Sequence, residues 1–485
     1  RQQHDEDRDT VSHTAEPIAA ASTAQEGADA PGRARTLLRR LLPPLLVVLV
    51  AFVSVGLHVR TYTLVGPIDE LQHIDYLYKS PQIVRPGDQF GDEAMQEEAC
   101  RGLDYPGFVL PACEIGGDYD PDDFQEAGYN TASANTPLYY SITHLVAAPL
   151  KAVAGLDSLV TAGRLVGGLW LAGGLLLAYA AARRLGAGRW AAASVLAVLA
   201  CTPAVVYPSS TITPDAATFA VGAGALLAAL WWEERPSRRW PVLALVTAVA
   251  LAIKMTNITI LLAVGITMLI RLAVQRWFPA QAELVGARTV DDDHGARPVR
   301  EPRLVDWLVG GITLAVTAGV VAVGWQVVQS ALAHGDLDAI PMNQQFRADE
   351  LSLTGLISYL GQWLTPLSSP WAAVGRAEFT DALQRLAQLV VATGFLSAAV
   401  IGWRNLRERA LAWSLLVTGL TGASFFIVVS FYAQALYVPP PARYGYALVP
   451  AMAVLTATGI KTRPATLAVG GLAVVALLFS VARLV

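Results

Sequence analysis

The feature that most constrains this chain is a series of long apolar runs that begins at Leu41 and recurs to the C-terminus. A bilayer core of roughly 30 Å needs about 20 apolar residues in a helix. In lipid, each such segment must satisfy its own backbone hydrogen bonds. The expected fold is therefore an all-α polytopic membrane protein. Eleven spans fit the runs: 41–59, 159–182, 189–207, 214–232, 240–253, 256–273, 306–328, 386–402, 410–432, 443–459 and 464–483. Composition agrees. Charged residues make up 15% of the chain, 54% is hydrophobic, and the mean hydropathy is +0.44. A soluble domain carries about 25% charge, and the runs leave no room for a separate one.

Orientation follows from basic residues in the short loops. Residues 1–32 are polar, Ala-rich and aperiodic, as in a disordered cytoplasmic tail. With Arg33, Arg35, Arg39 and Arg40 they make a basic-ended segment, 1–40, ahead of a transmembrane domain, 41–485. No small-residue cleavage site follows the first run, so it reads as a membrane helix rather than a signal peptide. Alternating from a cytoplasmic N-terminus puts Arg183, Arg184, Arg189, Arg235, Arg238, Arg239, the 274–305 loop, Arg404, Arg407, Arg409, Lys461 and Arg463 inside. The same register puts 60–158, 208–213, 329–385 and 433–442 outside a plasma membrane. Residues 137–155 are expected as a helix lying along the outer surface. Counting them as a span would send Arg183, Arg184 and Arg189 outside. Segment 359–372 reads the same way, with Trp363 and Trp371 suited to the interface. Cys100 and Cys113 share the long outer loop, where a disulfide is expected. Cys201 lies in an apolar run, a small buried side chain.

The strongest local signal is GPIDELQHIDYLYKSP, residues 66–81. Pro67 suits the first position of a helix and Pro81 stops it. In such a helix Asp69, His73 and Tyr76 share a face, and Ile68 and Leu71 lie against the membrane. A carboxylate there suits a general base on an acceptor hydroxyl, or a ligand (Asp69) for a divalent cation such as Mg or Mn. The plainer alternative is that Asp69 and Glu70 favour the dipole of the helix's first turn. Asp215, at the outer end of its span, reads as a second acid facing Asp69 or as another N-terminal carboxylate. Lys254 interrupts an apolar stretch, where a mid-bilayer charge costs about 2.5–3.5 kcal/mol. It either meets a phosphate or snorkels to the interface. Arg443, after Pro439, Pro440 and Pro441, suits a bidentate phosphate clamp or an interface anchor. Asp118, Asp120, Asp122 and Asp123 miss the EF-hand pattern because Tyr129 stands at the twelfth position. They read as a solvated acidic loop. There is no Gly-rich phosphate loop, no Cys-x-x-Cys pair and no basic–aromatic stripe for nucleic acid.

Together these motifs resemble the C-type glycosyltransferase superfamily, membrane enzymes that take a sugar from a polyprenyl-phosphate donor. Ile68-Asp69-Glu70 looks like the acidic motif of the protein O-mannosyltransferase branch. Asn135-Thr136-Pro137-Leu138-Tyr139-Tyr140 is similar to the His-Pro-Pro-Leu-Tyr-Tyr stretch that closes the first loop there, with Asn and Thr in place of His and Pro. Thr213-Pro214-Asp215-Ala216, Lys254-Met255-Thr256, and Arg443-Tyr444 with Val449-Pro450-Ala451 resemble later motifs in the same order. Asp69-Glu70-Leu71-Gln72-His73 with Tyr76 also resembles an uncharacterised bacterial membrane family, domain of unknown function number 2142. That family's Asp-Glu-Pro-x-His lacks its Pro here, and it brings no activity with it.

The superfamily resemblance implies an inverting glycosyltransferase with a lipid-linked sugar donor and an envelope polysaccharide, lipid or protein as acceptor. Outside a cell no nucleotide sugar is available, which suits a lipid-linked donor. Asp69 would be base or metal ligand, supported by Glu70, His73 and Asp215. Tyr76, Lys254, Arg443 and Tyr444 would bind substrate. The rivals are a transporter or flippase of lipid-linked sugars and a non-catalytic envelope assembly protein. The first tends to show inverted repeats and mid-membrane polar sites, whereas here the polar clusters sit at one face. The second needs no convergence of acids.

Overall fold

The computed structural model describes residues 30–103, 105, 107–278, 289–290, 297–298, 302–368, 378–401 and 406–482. The expected tail at 1–29, Trp371 and Arg404 lie outside them. Two two-residue strands, Thr289–Val290 and Arg297–Pro298, pair antiparallel. The other regular elements described are helices.

The chain divides into two units, Arg1–Leu42 and Pro43–Val485. In the first, the backbone is already helical from Ala30, well before the expected start at Leu41. This helix, α1, runs Ala30–Thr61 and contains Pro43 and Pro44 at the division. The second unit continues with α2 (Glu70–Lys79), α3 (Asp92–Arg101), α4 (Leu138–Ala154), α5 (Leu159–Arg184), α6 (Arg189–Ala200), α7 (Pro203–Ser209), α8 (Asp215–Glu234), α9 (Pro236–Ile253) and α10 (Ile258–Trp277). Helices Leu304–Leu332, Pro341–Phe346, Leu353–Ser358, Glu378–Ile401, Leu406–Gln434, Val449–Gly459 and Arg463–Ala482 follow.

Among the described residues, eight helices are long and apolar enough to cross a membrane. They become nine if α6 and α7, bent by 68° to one another, count as one span. The protein is thus a multi-pass membrane protein, but the expected eleven spans are not confirmed. Each shortfall has a local cause. Pro203 opens α7 and breaks the 189–207 run. Arg238 and Arg239 occupy the start of α9 and shorten its apolar length. The 443–459 run divides into a 3-10 helix, Ala442–Leu448, and an α-helix of only 11 residues from Val449.

Helix α8 is the central one. Its apolar window is 78% buried, against 17% for Leu304–Leu332 and 11% for Arg463–Ala482. It packs along α5 and α9, and small residues allow the approach. A Cβ on Gly174 of α5 would lie 2.8 Å from the Ala220 nitrogen of α8, and one on Gly222 of α8 only 2.2 Å from the Ala447 carbonyl oxygen. Membrane helices use small residues for such contacts. The central helix thereby carries Asp215, its first residue, into the packed part of the bundle.

Outside the spans, α2, α3 and α4 build a second apolar core against the start of α5, with Leu71, Ile74, Leu77, Met95 and Phe124 buried in it. Cys100 and Cys113 are bonded to each other in this layer. Two expectations are corrected here. Helix α2 does not lie against the membrane: every residue from Glu70 to Leu77 is buried, Leu71 completely. Trp363 is not an interface residue. It is 2% exposed, its indole N–H donates to the Pro441 carbonyl at 3.3 Å, and its ring packs on Gly422 and Gly445. Helix α4 is two-faced, with Tyr139, Tyr140, Thr143 and Ala147 buried and Ile142, Leu145 and Val153 exposed.

Candidate functional site

The acidic motif sits where the chain leaves α1 and turns into α2. Asp69 takes a left-handed conformation (φ 59°, ψ 10°), a region that Asp tolerates better than most residues. Helix α2 therefore begins at Glu70, not at Pro67, and Asp69 stands outside it. Two consecutive carboxylates consequently go to different cations.

Glu70 is 1% exposed. Its Oε1 accepts from Arg164 Nε at 2.9 Å and from the Ile212 N–H at 2.8 Å. Its Oε2 accepts from Arg164 Nη2 at 2.7 Å and from the Gly66 N–H at 2.6 Å. Arg164 also donates to the carbonyls of Tyr62 and Leu64. This closed clamp ties the 62–66 segment, α2, α5 and the turn before α8 together. Both oxygens of Glu70, expected to support catalysis, are thus engaged by four donors.

Asp69 is half-exposed and pairs with Arg443 at 2.7 Å. Desolvation opposes its ionisation. The Arg443 charge and hydrogen bond, with the fields of His73 and Lys254, outweigh that, so its pKa lies below the ordinary carboxylate value. Asp215 pairs with Lys254 at 2.6 Å, and both side chains are largely buried. Tyr444 joins the two pairs: Lys254 Nζ lies 5.3 Å from its ring centroid and Arg443 Cζ 5.9 Å. The four charged groups singled out in four separate parts of the chain thus converge around one ring. They do so as two matched pairs, each cation with its own carboxylate.

The break that presents Lys254 is built locally. Lys254 is extended (φ −159°, ψ 131°) between α9 and a 3-10 turn, Met255–Asn257. The last carbonyls of a helix lack intrahelical partners. Here Asn257 Nδ2 donates to the Ala250 oxygen at 3.0 Å, and the Thr136 hydroxyl donates to that of Ala252. Thr136 thus connects the end of the first loop to the backbone beside Lys254.

His73 is buried, and its Nδ1 shares a 2.7 Å hydrogen bond with the Tyr140 hydroxyl. Burial, reinforced by Lys254 and Arg443 against the fields of Asp69 and Asp215, lowers its pKa to about 4. The imidazole is neutral at pH 7. Tyr76 stacks on Tyr140 with centroids 3.9 Å apart and donates to the Asn135 carbonyl at 3.3 Å. Its hydroxyl, expected to meet substrate, thus bonds to the backbone at the end of the first loop. The acidic run at 118–123 is used locally, with Asp120 accepting from the Asp122 N–H.

Among the described residues no group of three or more His, Cys, Asp or Glu side chains is placed to hold a metal ion. Asp69, the expected ligand, faces a guanidinium, whose charge opposes a second cation. Among the described residues, the Asp69–Arg443 pair therefore offers a cation no further set of acidic ligands. A small cleft lies elsewhere, lined by Leu185, Leu226, Glu233, Met268 and Arg407 among others.

Residues 118–349 match the family model described as "Predicted membrane protein (DUF2142)". The family expected from residues 69–76 is thus matched over a different stretch of the chain. The matched stretch includes Asp215 and Lys254 and leaves Asp69 and Arg443 outside. No curated protein matches the chain. Among solved structures, that of arabinofuranosyltransferase AftD from Mycobacteria is similar at 15% identity with a TM-score of 0.30. The alignment covers 85% of this chain and 26% of that one, so the chain spans about a quarter of that protein's length. A likeness of that degree carries no argument about activity.

Proposed function

We propose that the protein is a glycosyltransferase of the plasma membrane. In this reading it moves a sugar from a polyprenyl-phosphate donor to an envelope polysaccharide, lipid or protein at the outer face. The observation that carries the proposal is the pair of ion pairs, Asp69–Arg443 and Asp215–Lys254, whose two cations both lie near the Tyr444 ring. A site for a phosphate ester needs cations, and a site for hydroxyl activation needs a carboxylate. Here each is held in a form that the substrate would release. A donor phosphate offers Arg443 a bidentate partner and Lys254 a point-charge partner. As Arg443 turns to the phosphate, Asp69 loses its largest source of acidification. Its pKa rises and it becomes a better base.

The chemistry then balances. The acceptor oxygen bonds to the anomeric carbon on the face opposite the phosphate, its proton passes to Asp69, and the carbon–oxygen bond to phosphate breaks. The lipid phosphate leaves with both electrons, stabilised by Arg443 and Lys254. Neutral His73 adds no competing charge beside the base. Glu70 takes no part in the reaction and positions Asp69 through the backbone.

Asp69→Asn in cells lacking the native protein is expected to cut turnover by roughly 10²–10⁴-fold, read as envelope glycan composition, while the protein accumulates normally. Normal glycans from a well-expressed variant would overturn the assignment. The broken helices at Pro203 and Lys254 favour one second reading, transport of a lipid-linked sugar. Turnover of donor and acceptor by detergent-solubilised protein separates the two, because transport without a membrane yields no product.

A further inference from the structure

At the opposite end of α5 and α8 from the Asp69 site, we infer a binding site for the headgroup of an anionic phospholipid, built from Arg184, Trp231, Glu234 and Arg239. Asp215 opens the 20-residue α8 and Glu234 closes it, roughly 30 Å away. There Glu234 accepts from Arg184 Nη1 through one oxygen and from Arg239 Nη1 at 2.7 Å through the other. The same Arg239 nitrogen donates to the Trp231 carbonyl at 2.7 Å. Both guanidinium carbons lie near the Trp231 ring, at 5.4 and 5.5 Å from its centroid. One carboxylate and one indole thus fix two cations. Each guanidinium engages the carboxylate through one nitrogen and stays part-exposed, so its other N–H groups are open to an incoming oxyanion. Two cations share one anion, since Glu233 is already matched by Arg407 at 2.5 Å. The exposed Arg235 and Arg238 add to the surplus. A held guanidinium fork matches phosphate geometry.

The occupant is a lipid rather than a soluble phosphate because of what surrounds the site. Trp190, Trp231 and Trp240 are 50%, 41% and 49% exposed, at the ends of apolar helices, where indoles settle at headgroup depth. Basic pockets between membrane helices take anionic headgroups.

The test is retention of phosphatidylglycerol against phosphatidylcholine by the purified full-length protein, read by native mass spectrometry. Wild type is expected to retain the anionic lipid. Arg184→Gln with Arg239→Gln should weaken retention about tenfold or more, and the charge-matched pair Arg235→Gln with Arg238→Gln far less. Equal losses in the two pairs would mean diffuse attraction and would overturn the built site. Should the first pair fail to accumulate, Arg184→Lys with Arg239→Lys keeps the charge and removes the fork, and full retention by it would equally overturn the proposal. Displacement of the lipid by equimolar glycerol phosphate would reassign the site to a soluble ligand.

Discussion

Glu70→Gln is the substitution that most directly tests the division of labour between the two neighbouring acids. In the native protein Glu70 and Arg164 are each 1% exposed and share two hydrogen bonds, at 2.9 and 2.7 Å. Removing the charge leaves a guanidinium buried without its counter-ion, which typically costs about 3–5 kcal/mol. Two features adjust that figure in opposite directions. Arg164 keeps its bonds to the Tyr62 and Leu64 carbonyls, which softens the loss. The new amide nitrogen replaces one of the two oxygens, so its N–H groups meet either the Gly66 N–H and Arg164 Nη2 or the Ile212 N–H and Arg164 Nε, donor against donor. The expected cost is therefore roughly 3 kcal/mol or more. The assay is thermal unfolding of the detergent-solubilised protein, followed by tryptophan fluorescence, with Asp69→Asn in parallel. Asp69 is half-exposed, and exposed ion pairs are worth only about 0–1 kcal/mol. Glu70→Gln should fall well below wild type and Asp69→Asn should stay close to it. Glu70→Gln combined with Arg164→Met should recover part of the loss, since removing both partners is gentler than removing one. A Glu70→Gln protein as stable as wild type would refute the clamp. So would a Glu70→Gln protein that is fully stable yet inactive, which would return Glu70 to the reaction.

Glu98 is fully buried, with one oxygen accepting from Gln125 Nε2 at 2.7 Å and the other without a partner. Burial, then the Glu70 charge, pushes its pKa from 4.5 up to about 8. Its contribution is therefore whole below about pH 4.5 and is lost as pH rises through about 8. Glu98→Gln should then stabilise the protein by roughly 3 kcal/mol at pH 7 and by little near pH 4.5. Equal shifts in the melting curve at both pH values would contradict this. Topology is tested by single cysteines at Val153, which is 89% exposed, and at Ser237, also exposed. Segment 208–213 is buried and cannot report. An impermeant thiol reagent should label Val153→Cys on intact cells and Ser237→Cys only after permeabilisation, and the reverse would invert the site assignment.

How much of this was legible in the sequence depends on what carried the signal. Apolar length is a local property, so most span positions were readable, as were the charges at their ends. Asp69, Asp215, Lys254 and Arg443 stood out because charge beside an apolar run is costly and rare. Arg164 carried the same signal, a charge six residues into an apolar run, and was passed over. Its partner, Glu70, was absorbed instead into the acidic motif. The excess of expected spans came from counting apolar residues without weighing breakers, although Pro203 and Pro450 were visible. Trp363 was misread because indole suits both an interface and a core, and only packing decides between them. The left-handed angle at Asp69 had no sequence marker beyond the tolerance of Asp for it.

That angle links fold to chemistry. Had Asp69 been helical, its carboxylate would have lain on the α2 face of His73 and Tyr76, the face that packs on Tyr140. A charge there would be buried without a cation. The left-handed turn sends Asp69 to Arg443 and leaves Glu70 to start the helix and hold Arg164. The turn is tight, since a Cβ on Gly66 would come 2.5 Å from the Tyr207 hydroxyl oxygen and 2.9 Å from Glu70 Oε2. It follows that the two usual replacements at Asp69 differ in kind. Asn keeps the conformation, because it visits the left-handed region as Asp does, and so isolates the lost charge. Ala loses the charge and pays a further backbone cost of roughly 1 kcal/mol. It also loosens the turn that places Glu70, so its defect would mix base and clamp. The functional reading therefore rests on Asn at this position, and the structural one on Gln at the next.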